Sequence, residues 1–203
     1  MKKLLLVALG FALSAVAGYA APCAPGTLAS YIAMGPGGCV LGNLVVGNFA
    51  YHAKASGGAP EITSDQIQVT PLLAPVGAFA LQFAAPWSVQ TGQIQISGIT
   101  YNVASPAVSN QVQQATLDGA GFQGGMFSRA VVNQALATPA ATDNLEVFLK
   151  CTEVCRSQTT AMVAFTPGAA VLAVSDRVAL DSKLGNTSIT GFTNWFIICI
   201  PCV

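Results

Sequence analysis

Most of this chain alternates apolar and polar residues with a period of two, and glycine and proline divide the alternating runs into short segments. Such runs predict β-strands with one buried face, because successive side chains of a strand point to opposite sides of a sheet. The clearest runs are residues 93–104, 144–151 and 169–181. About ten such segments recur, so the sequence predicts an all-β protein, an antiparallel β-sandwich of jelly-roll-like type.

The N-terminal part of this pattern, residues 23–53, predicts how the first strand begins. A short N-terminal helical turn is expected at residues 27–34, followed by a glycine-rich corner and a strand at residues 44–53. Alternation along that strand predicts two faces, with Val45, Phe49 and Tyr51 on one and Asn48, His52 and Lys54 on the other. In the run at 93–104 the alternation changes phase at Gly98, which predicts a β-bulge there.

The first twenty residues have the composition of a bacterial signal peptide. Lys2 and Lys3 precede an uncharged apolar run at residues 4–16, and small residues follow it. The run is shorter than a membrane-spanning helix needs. We therefore expect residues 1–20 to be removed and residues 21–203 to fold as one β-sandwich domain. The mature protein is expected to be secreted, extracellular or periplasmic, with no membrane span.

Charged residues make up only 8% of the chain, against roughly 25% in a typical domain. Residues 21–203 hold six lysines and arginines and eight aspartates and glutamates. The bases are spread along the sequence, so we expect no basic cluster, and they are outnumbered by the acids. Nucleic acid and anionic membrane surfaces are therefore poor candidate partners.

All six cysteines follow the predicted signal peptide and form three local pairs: Cys23 with Cys39, Cys151 with Cys155, and Cys199 with Cys202. An even number of cysteines in an exported chain predicts disulfides, and Cys23–Cys39 is the bond we expect first because it brackets the helical turn. The last four cysteines could instead form a four-thiolate zinc site, and the C-x-P-C motif at 199–202 could be a redox dithiol. Export and the lack of a strand-to-helix context favour structural disulfides.

No motif predicts a catalytic residue, a resident metal ion or a cofactor. His52 is the single histidine, and no G-x-S-x-G sequence accompanies it. Two residues are candidate ligand or ion contacts. Asp176 falls in phase with the apolar face of its strand, so it requires buried partners, a bulge, or a bound calcium ion or glycan. Trp87 would favour glycan binding if its ring lay exposed in a groove.

The segment at residues 27–51 carries paired residues that form a recognisable pattern: Thr27-Leu28, Tyr31-Ile32, Gly38-Cys39 with Gly42, and Phe49 two before Tyr51. Further pieces are Trp87-Ser88-Val89, Ile99-Thr100-Tyr101, Val174-Ser175-Asp176, and Gly191-Phe192 with Asn194. The pattern resembles a family of exported bacterial β-rich proteins, many of which carry a PEP-CTERM sorting tail. The resemblance implies a secreted surface or matrix protein and no particular activity. The Pro-Glu-Pro motif of such tails is not found in this sequence.

The sequence thus predicts an exported structural or interaction module of the bacterial cell surface or extracellular matrix. A carbohydrate-binding module is the alternative, and a secreted hydrolase is a more distant one. The expected partners are extracellular polysaccharide or a second copy bound through the C-terminal strand. Residues 195–200 are apolar on both faces, which predicts either a strand buried within the domain, with Cys199–Cys202 as a clip, or an assembly surface.

Overall fold

Two antiparallel β-sheets account for most of the chain in a computed structural model, which describes residues 20–74, 77–107 and 111–198. One helix, α1 (Leu28–Ala33), and two 3-10 turns, Gly35–Gly37 and Ser64–Gln66, complete the regular structure of these ranges. The strands are β1 (Gly26–Thr27), β2 (Cys39–Leu41), β3 (Leu44–Ser56), β4 (Gln68–Ala74), β5 (Ala78–Val89), β6 (Gln93–Ala104), β7 (Val112–Ala120), β8 (Gln123–Gly124), β9 (Ser128–Ala137), β10 (Thr142–Cys151), β11 (Cys155–Gln158), β12 (Thr160–Ala169), β13 (Val171–Ser182) and β14 (Thr187–Ile198).

The two sheets pack face to face, so the predicted antiparallel β-sandwich is confirmed. The first sheet has the order β1-β4-β5-β14-β7-β12, with β8 paired to β14, and the second has the order β11-β10-β9-β13-β6-β3-β2. Ten strands of seven or more residues form the two layers, and four strands of two to four residues extend their margins. The ten principal strands match the predicted number, but most are longer than the alternation alone suggested.

The predicted helical turn and its disulfide are both present. The Thr27 hydroxyl caps α1 by accepting a hydrogen bond from the Ser30 N–H at 3.2 Å. The Cys23–Cys39 disulfide joins the chain before the helix to β2. Tyr31 of α1 is buried and packs edge-on against Phe49 of β3, with 5.1 Å between ring centroids. The helix therefore covers one end of the core that β3 borders.

A bulge in β3 corrects the predicted faces of that strand. Its pairing with β6 shifts register between Gly47 and Ala50, and Asn48 adopts a left-handed conformation with φ 57°. Before the bulge it is Val46, not Val45, that is fully buried. After it, Phe49 and Tyr51 face inward as predicted. Because the bulge adds one residue to β3, the inward positions are even-numbered before it and odd-numbered after it. The sequence does not reveal this shift, because Val45 and Val46 are both apolar.

No bulge interrupts β6, which corrects the expected break at Gly98. The strand pairs with β13 in one continuous register from Gln93 to Ala104. The apolar residues change phase in the sequence because Gln95 and Ser97 point into the core while Ile94 and Ile96 point outward. Gly98 also faces outward, where a Cβ atom would overlap the ring of His52 from the neighbouring strand.

The C-terminal strand β14 lies in the middle of the first sheet. It pairs with β5 on one side and β7 on the other, and Phe196 and Ile198 point into the core. The inner face of the described part of the C-terminal run is therefore buried within the domain, as predicted, whereas Trp195 and Ile197 on the outer face are half-buried. Its backbone groups are already paired on both sides, so another strand cannot be added at β14 itself. Cys199 and Cys202 lie outside the described residues, and their predicted pairing stays a prediction.

We expect Phe49→Ala to lower the free energy of unfolding by about 3–5 kcal/mol, because its buried ring stacks on Tyr101 with centroids 5.0 Å apart. The same substitution at the exposed His52 should change it by less than about 0.5 kcal/mol. Urea unfolding of both variants beside the unmodified protein measures this difference. Equal losses would show that the assignment of the two faces of β3 is wrong.

Candidate functional site

Trp87 lies in the core rather than in a surface groove. Its side chain is 1% exposed, and its indole Nε1–H donates a hydrogen bond to the Ser97 hydroxyl at 3.0 Å. Its ring also packs against Phe192, with centroids 5.9 Å apart. The indole N–H is thus satisfied inside the protein, as buried tryptophans require. Trp87 therefore offers no ring to a ligand at the surface.

Asp176 is buried with partners, not displaced by a bulge. It is 1% exposed, and β13 keeps an unbroken register with both β6 and β9 around it. The Gln134 side-chain amide donates to Asp176 Oδ1 at 3.1 Å, and the Asn194 amide donates to Oδ2 at 2.6 Å. Because Asn194 belongs to the first sheet and Asp176 to the second, this last bond crosses the sandwich. Asn194 also donates to the Tyr101 hydroxyl at 2.7 Å.

Burial controls the protonation of this cluster. Desolvation raises the pKa of the Asp176 carboxyl to about 7, although the two amide donors oppose the shift. Burial, and then the charge of Asp176, raise the pKa of Tyr101 well above its ordinary value, although the bond from Asn194 opposes the shift. Within the described ranges, no group of three histidine, cysteine or carboxylate side chains could hold a metal ion. The cluster is enclosed by the core, so we assign it a structural role.

A surface groove at one end of the second sheet is lined by several charged and polar side chains. Two cavities of about 440 and 560 Å³ share Phe127, Lys150 and Thr152 in their walls, a size typical of ligand sites. We call this feature the Phe127 groove and define it by Phe127, Arg129, Lys150, Thr152, Arg156 and Lys183. Sequence reasoning did not single out Phe127, because its neighbours form no recognised motif.

One wall of the Phe127 groove is the loop between β8 and β9. Phe127 is 41% exposed and adopts a left-handed conformation with φ 53°, which is rare for a bulky side chain. Its carbonyl accepts a hydrogen bond from the Lys183 N–H at 3.1 Å, and Gly125 N–H donates to the Asn186 carbonyl at 2.9 Å. These bonds to the chain beyond β13 hold the loop in place. A strained, exposed aromatic residue in a fixed loop is a feature that clusters at functional sites.

The other wall is the hairpin that joins β10 to β11. A disulfide between Cys151 and Cys155 closes it, and the Thr152 N–H donates to the Val154 carbonyl at 3.2 Å. The predicted pairing of these two cysteines is thus confirmed. Because their sulfur atoms are bonded to each other, they cannot also contribute to a four-thiolate zinc site. The short covalent loop fixes the backbone of this wall.

The pairing of the strands brings together bases that are far apart in the sequence. Lys150 lies directly opposite Arg129 on one side and Arg156 on the other, so four of the six bases in residues 20–203 line the groove. Two acids, Glu153 and Asp181, line it as well. The expectation that the protein has no basic cluster is therefore wrong. Linear spacing could not show it, because the pairing that unites these residues depends on the sheet order.

The bases of the groove differ in their existing partners. Glu146 pairs with Lys150 at 2.6 Å and with Arg129 at 3.6 Å, and Lys150 also lies 4.1 Å above the Phe148 ring. Within the part of the chain that the structure describes, Arg156 and Lys183 make no ion pair. These two side chains are therefore the ones available to an incoming anionic group.

Comparisons with known proteins add two distant structural likenesses. No protein family profile matches the chain, and no curated protein sequence is detectably similar to it. The enzymatically active domain of bacteriophage CBA120 tailspike protein 4 matches 78% of this chain at 9% identity and a TM-score of 0.32, and the chain spans only 20% of that protein. TmCBM61, solved in complex with beta-1,4-galactotriose, matches 72% of this chain and 83% of its own at 8% identity and a TM-score of 0.29. Neither TM-score is high enough to transfer a ligand or an activity.

Asp176→Asn tests the buried cluster. Because the folded protein holds the Asp176 proton more tightly than the unfolded chain does, its contribution to stability is full below about pH 4 and is lost as the pH rises to about 7. The uncharged asparagine does not titrate. The unfolding free energy of the unmodified protein minus that of the variant should therefore decrease by roughly 4 kcal/mol between about pH 4 and pH 7. Urea unfolding at a series of pH values measures it, and parallel curves for the two proteins would contradict the assignment.

Proposed function

We propose that the protein is an exported, non-catalytic interaction module that binds acidic polysaccharide at the cell surface or in the extracellular matrix, through the Phe127 groove. The observation that carries this proposal is the meeting of an exposed aromatic ring with four of the six bases of residues 20–203 in one groove. Export is the prediction from residues 1–20 and from the family resemblance. The two disulfides support it, because they persist in oxidising compartments.

The exposed Phe127 ring is suited to the apolar face of a sugar. A pyranose presents C–H groups on its faces and hydroxyl groups around its rim, so a flat aromatic ring can pack on it while polar side chains meet the rim. The groove supplies those polar side chains on both sides of the ring, in Thr152, Glu153 and Asp181. Because backbone hydrogen bonds and a disulfide already hold both walls, little conformational entropy is lost on binding.

The charge of the groove favours an acidic polymer over a neutral one. Residues 20–203 carry more acids than bases, yet four bases and two acids line the groove. Glu146 pairs with Lys150 and Arg129, and Arg156 and Lys183 supply the remaining positive charge. The guanidinium of Arg156 can donate two parallel hydrogen bonds to one carboxylate, and Lys183 adds a second positive charge. Uronic acid residues present such carboxylates at regular intervals along a chain. We therefore expect binding to weaken as salt is raised.

The two acids of the groove are assigned to hydrogen bonding and not to catalysis. Asp181 lines the smaller cavity and Glu153 the larger one, so the two carboxylates lie in different halves of the groove. Hydrolysis of a glycosidic bond generally requires two carboxylates that flank the same bond. A binding role therefore accounts for the groove without a reaction.

Titration calorimetry with polygalacturonate as the probe tests this proposal. The protein should bind the acidic polymer and should not bind its fully methyl-esterified form, which keeps the sugar rings but lacks the charges. Phe127→Gly and Arg156→Ala should each weaken binding by about tenfold or more. Glycine also relieves the left-handed backbone, so Phe127→Gly should leave the unfolding free energy within about 1 kcal/mol of the parent value.

Two control substitutions separate the groove from the general surface. Met126→Ala removes an exposed apolar side chain beside Phe127, and Lys54→Ala removes an exposed base of the same sheet that does not line the groove. Both variants should bind as the unmodified protein does. Equal binding of the esterified polymer would contradict the acidic class of ligand. Binding of duplex DNA or anionic vesicles, but not of polygalacturonate, would contradict a polysaccharide partner altogether.

Removal of each disulfide should produce a different defect. Replacing Cys151 and Cys155 with serine loosens one wall of the groove, so affinity for polygalacturonate should fall roughly tenfold with little loss of stability from so short a loop. Replacing Cys23 and Cys39 opens a longer loop far from the groove along the sequence, so it should cost roughly 3 kcal/mol of stability and leave affinity unchanged. Calorimetry and urea unfolding of the two double variants measure both effects, and identical defects would contradict a role for the hairpin in the site.

A further inference from the structure

The sheets of a sandwich end in edge strands whose unpaired N–H and C=O groups can accept another strand, and proteins protect such edges with charge, proline or bulges. Three edges here carry such devices. Beyond the short β1, the edge of β4 contains Pro71, and beyond the short β2, the edge of β3 contains its bulge and Lys54. Beyond β11, the edge of β10 contains Asp143 and Glu146.

The fourth edge, β12, contains Pro167 and a register shift in its second half, but its first half has no such protection. From Thr160 to Ala164 it contains no charge, no proline and no register shift, and the shift comes only after Ala164. Met162 in its centre is 69% exposed. Within the described ranges, β12 pairs with β7 on one side and with no strand on the other. The sequence Thr-Ala-Met-Val-Ala is thus an open, uncharged strand edge.

The pairing with β7 shows which backbone groups are open. Gly119 N–H donates to the Thr159 carbonyl at 2.8 Å, so Thr160 and its opposite residue Asp118 form a non-hydrogen-bonded pair. The alternation then directs the N–H and C=O groups of Thr160, Met162 and Ala164 away from β7. The Gln158 side-chain amide already donates to the Thr160 carbonyl at 3.2 Å. The Thr160 N–H and the N–H and C=O groups of Met162 and Ala164 remain open.

We propose that the protein forms a two-fold dimer in which β12 pairs antiparallel with β12 of a second copy, about an axis through Met162. In this register Met162 faces its own counterpart and Thr160 faces Ala164, so the residues that meet are those whose backbone groups point outward. Every facing side chain is uncharged, and the outer faces of the two first sheets become continuous. Because the same patch is used on both copies, the contact closes at two. A second copy is favoured over a foreign strand because it presents the same uncharged edge, with outward-pointing backbone groups at the same alternate positions on both copies.

The open edge adjoins an outer face of the first sheet that carries almost no charge. Trp195 lies outward and half-buried, opposite Thr116, which in turn lies opposite Met162. The residues that point outward around it carry a single charged side chain, Asp118. Self-association was predicted through the C-terminal strand, β14. We now assign it to β12, the edge strand of the same sheet. This inference does not rest on polysaccharide binding, because the Phe127 groove is built on the second sheet.

Sedimentation velocity of the unmodified mature protein over a range of concentrations tests the proposal. The expected result is a monomer–dimer equilibrium that Met162→Lys weakens at least about tenfold, because two lysines then face each other across the axis. Val154→Lys is the matched control, since Val154 is 72% exposed on the β10–β11 hairpin and should leave the equilibrium unchanged. Circular dichroism should show that both variants remain folded. A monomer at every concentration, or equal effects of the two lysines, would overturn the proposal.

Engineered cysteines test the register itself. Under mild oxidation Met162→Cys should form covalent dimers, because facing residues of a hydrogen-bonded pair lie about 5.5 Å apart between Cα atoms, within reach of a disulfide. Ala164→Cys alone should not, because it faces Thr160, but a mixture of Thr160→Cys and Ala164→Cys proteins should form mixed dimers. Covalent dimers of Ala164→Cys alone, with none from Met162→Cys, would show that the two copies do not pair about this axis.

Discussion

The sandwich depends on a column of aromatic rings that spans its two layers. Tyr101 of the second sheet stands at its centre, stacked on Phe49 and in contact with Phe83 and Phe196 of the first sheet. The ring-centroid distances of these pairs run from 5.0 to 6.5 Å, the range in which aromatic pairs add stability beyond their buried area. From this centre the column extends to Tyr31 of the helix at one side and to Trp87 at the other. A chain with so few charges thus relies on ring packing to fix how its sheets meet.

The polar groups beside this column specify the register of the two layers. A hydrogen bond to Asp176 and another to Tyr101 can form only when Asn194 of the first sheet lies directly across from them. Leaving a carboxylate without partners in such a core would cost several kcal/mol, so a shifted packing of the sheets is disfavoured. Ser97 of the second sheet likewise accepts a hydrogen bond from Trp87 of the first sheet, and it also bonds to Tyr51 of its own sheet. The rings supply most of the attraction, and the polar cluster selects one arrangement.

The fold class could be predicted from the alternation, but the phases of β3 and β6 could not. Alternation assumes that apolar residues face inward, and β6 breaks that rule because its inward Gln95 and Ser97 have partners inside while Ile94 and Ile96 face outward. The Cys23–Cys39 and Cys151–Cys155 disulfides could be predicted from the short spacing of their cysteines along the sequence. The Phe127 groove is different, because its bases become neighbours only once the strand order is known. Asp176 was recognised as anomalous from its phase, yet its partners come from β9 and β14 and lie 42 and 18 residues away, beyond the reach of a local pattern.

Dimerisation at the open edge would compensate for the weak binding expected of a single groove. Two of the four bases in the groove are already paired with Glu146, so a single sugar unit can gain only a few new interactions there. An acidic polysaccharide, however, repeats the same unit many times, and the proposed dimer would carry two grooves. Once one groove is occupied, the second meets the same polymer at a high effective concentration, which can raise the overall affinity by 10²–10⁴ without any new contact. Arg156 and Met162 lie on one continuous stretch that passes from the second sheet to the first at Thr159. Association at β12 would therefore fix the spacing of the two grooves, and the repeat length of the polymer would decide whether both can be filled.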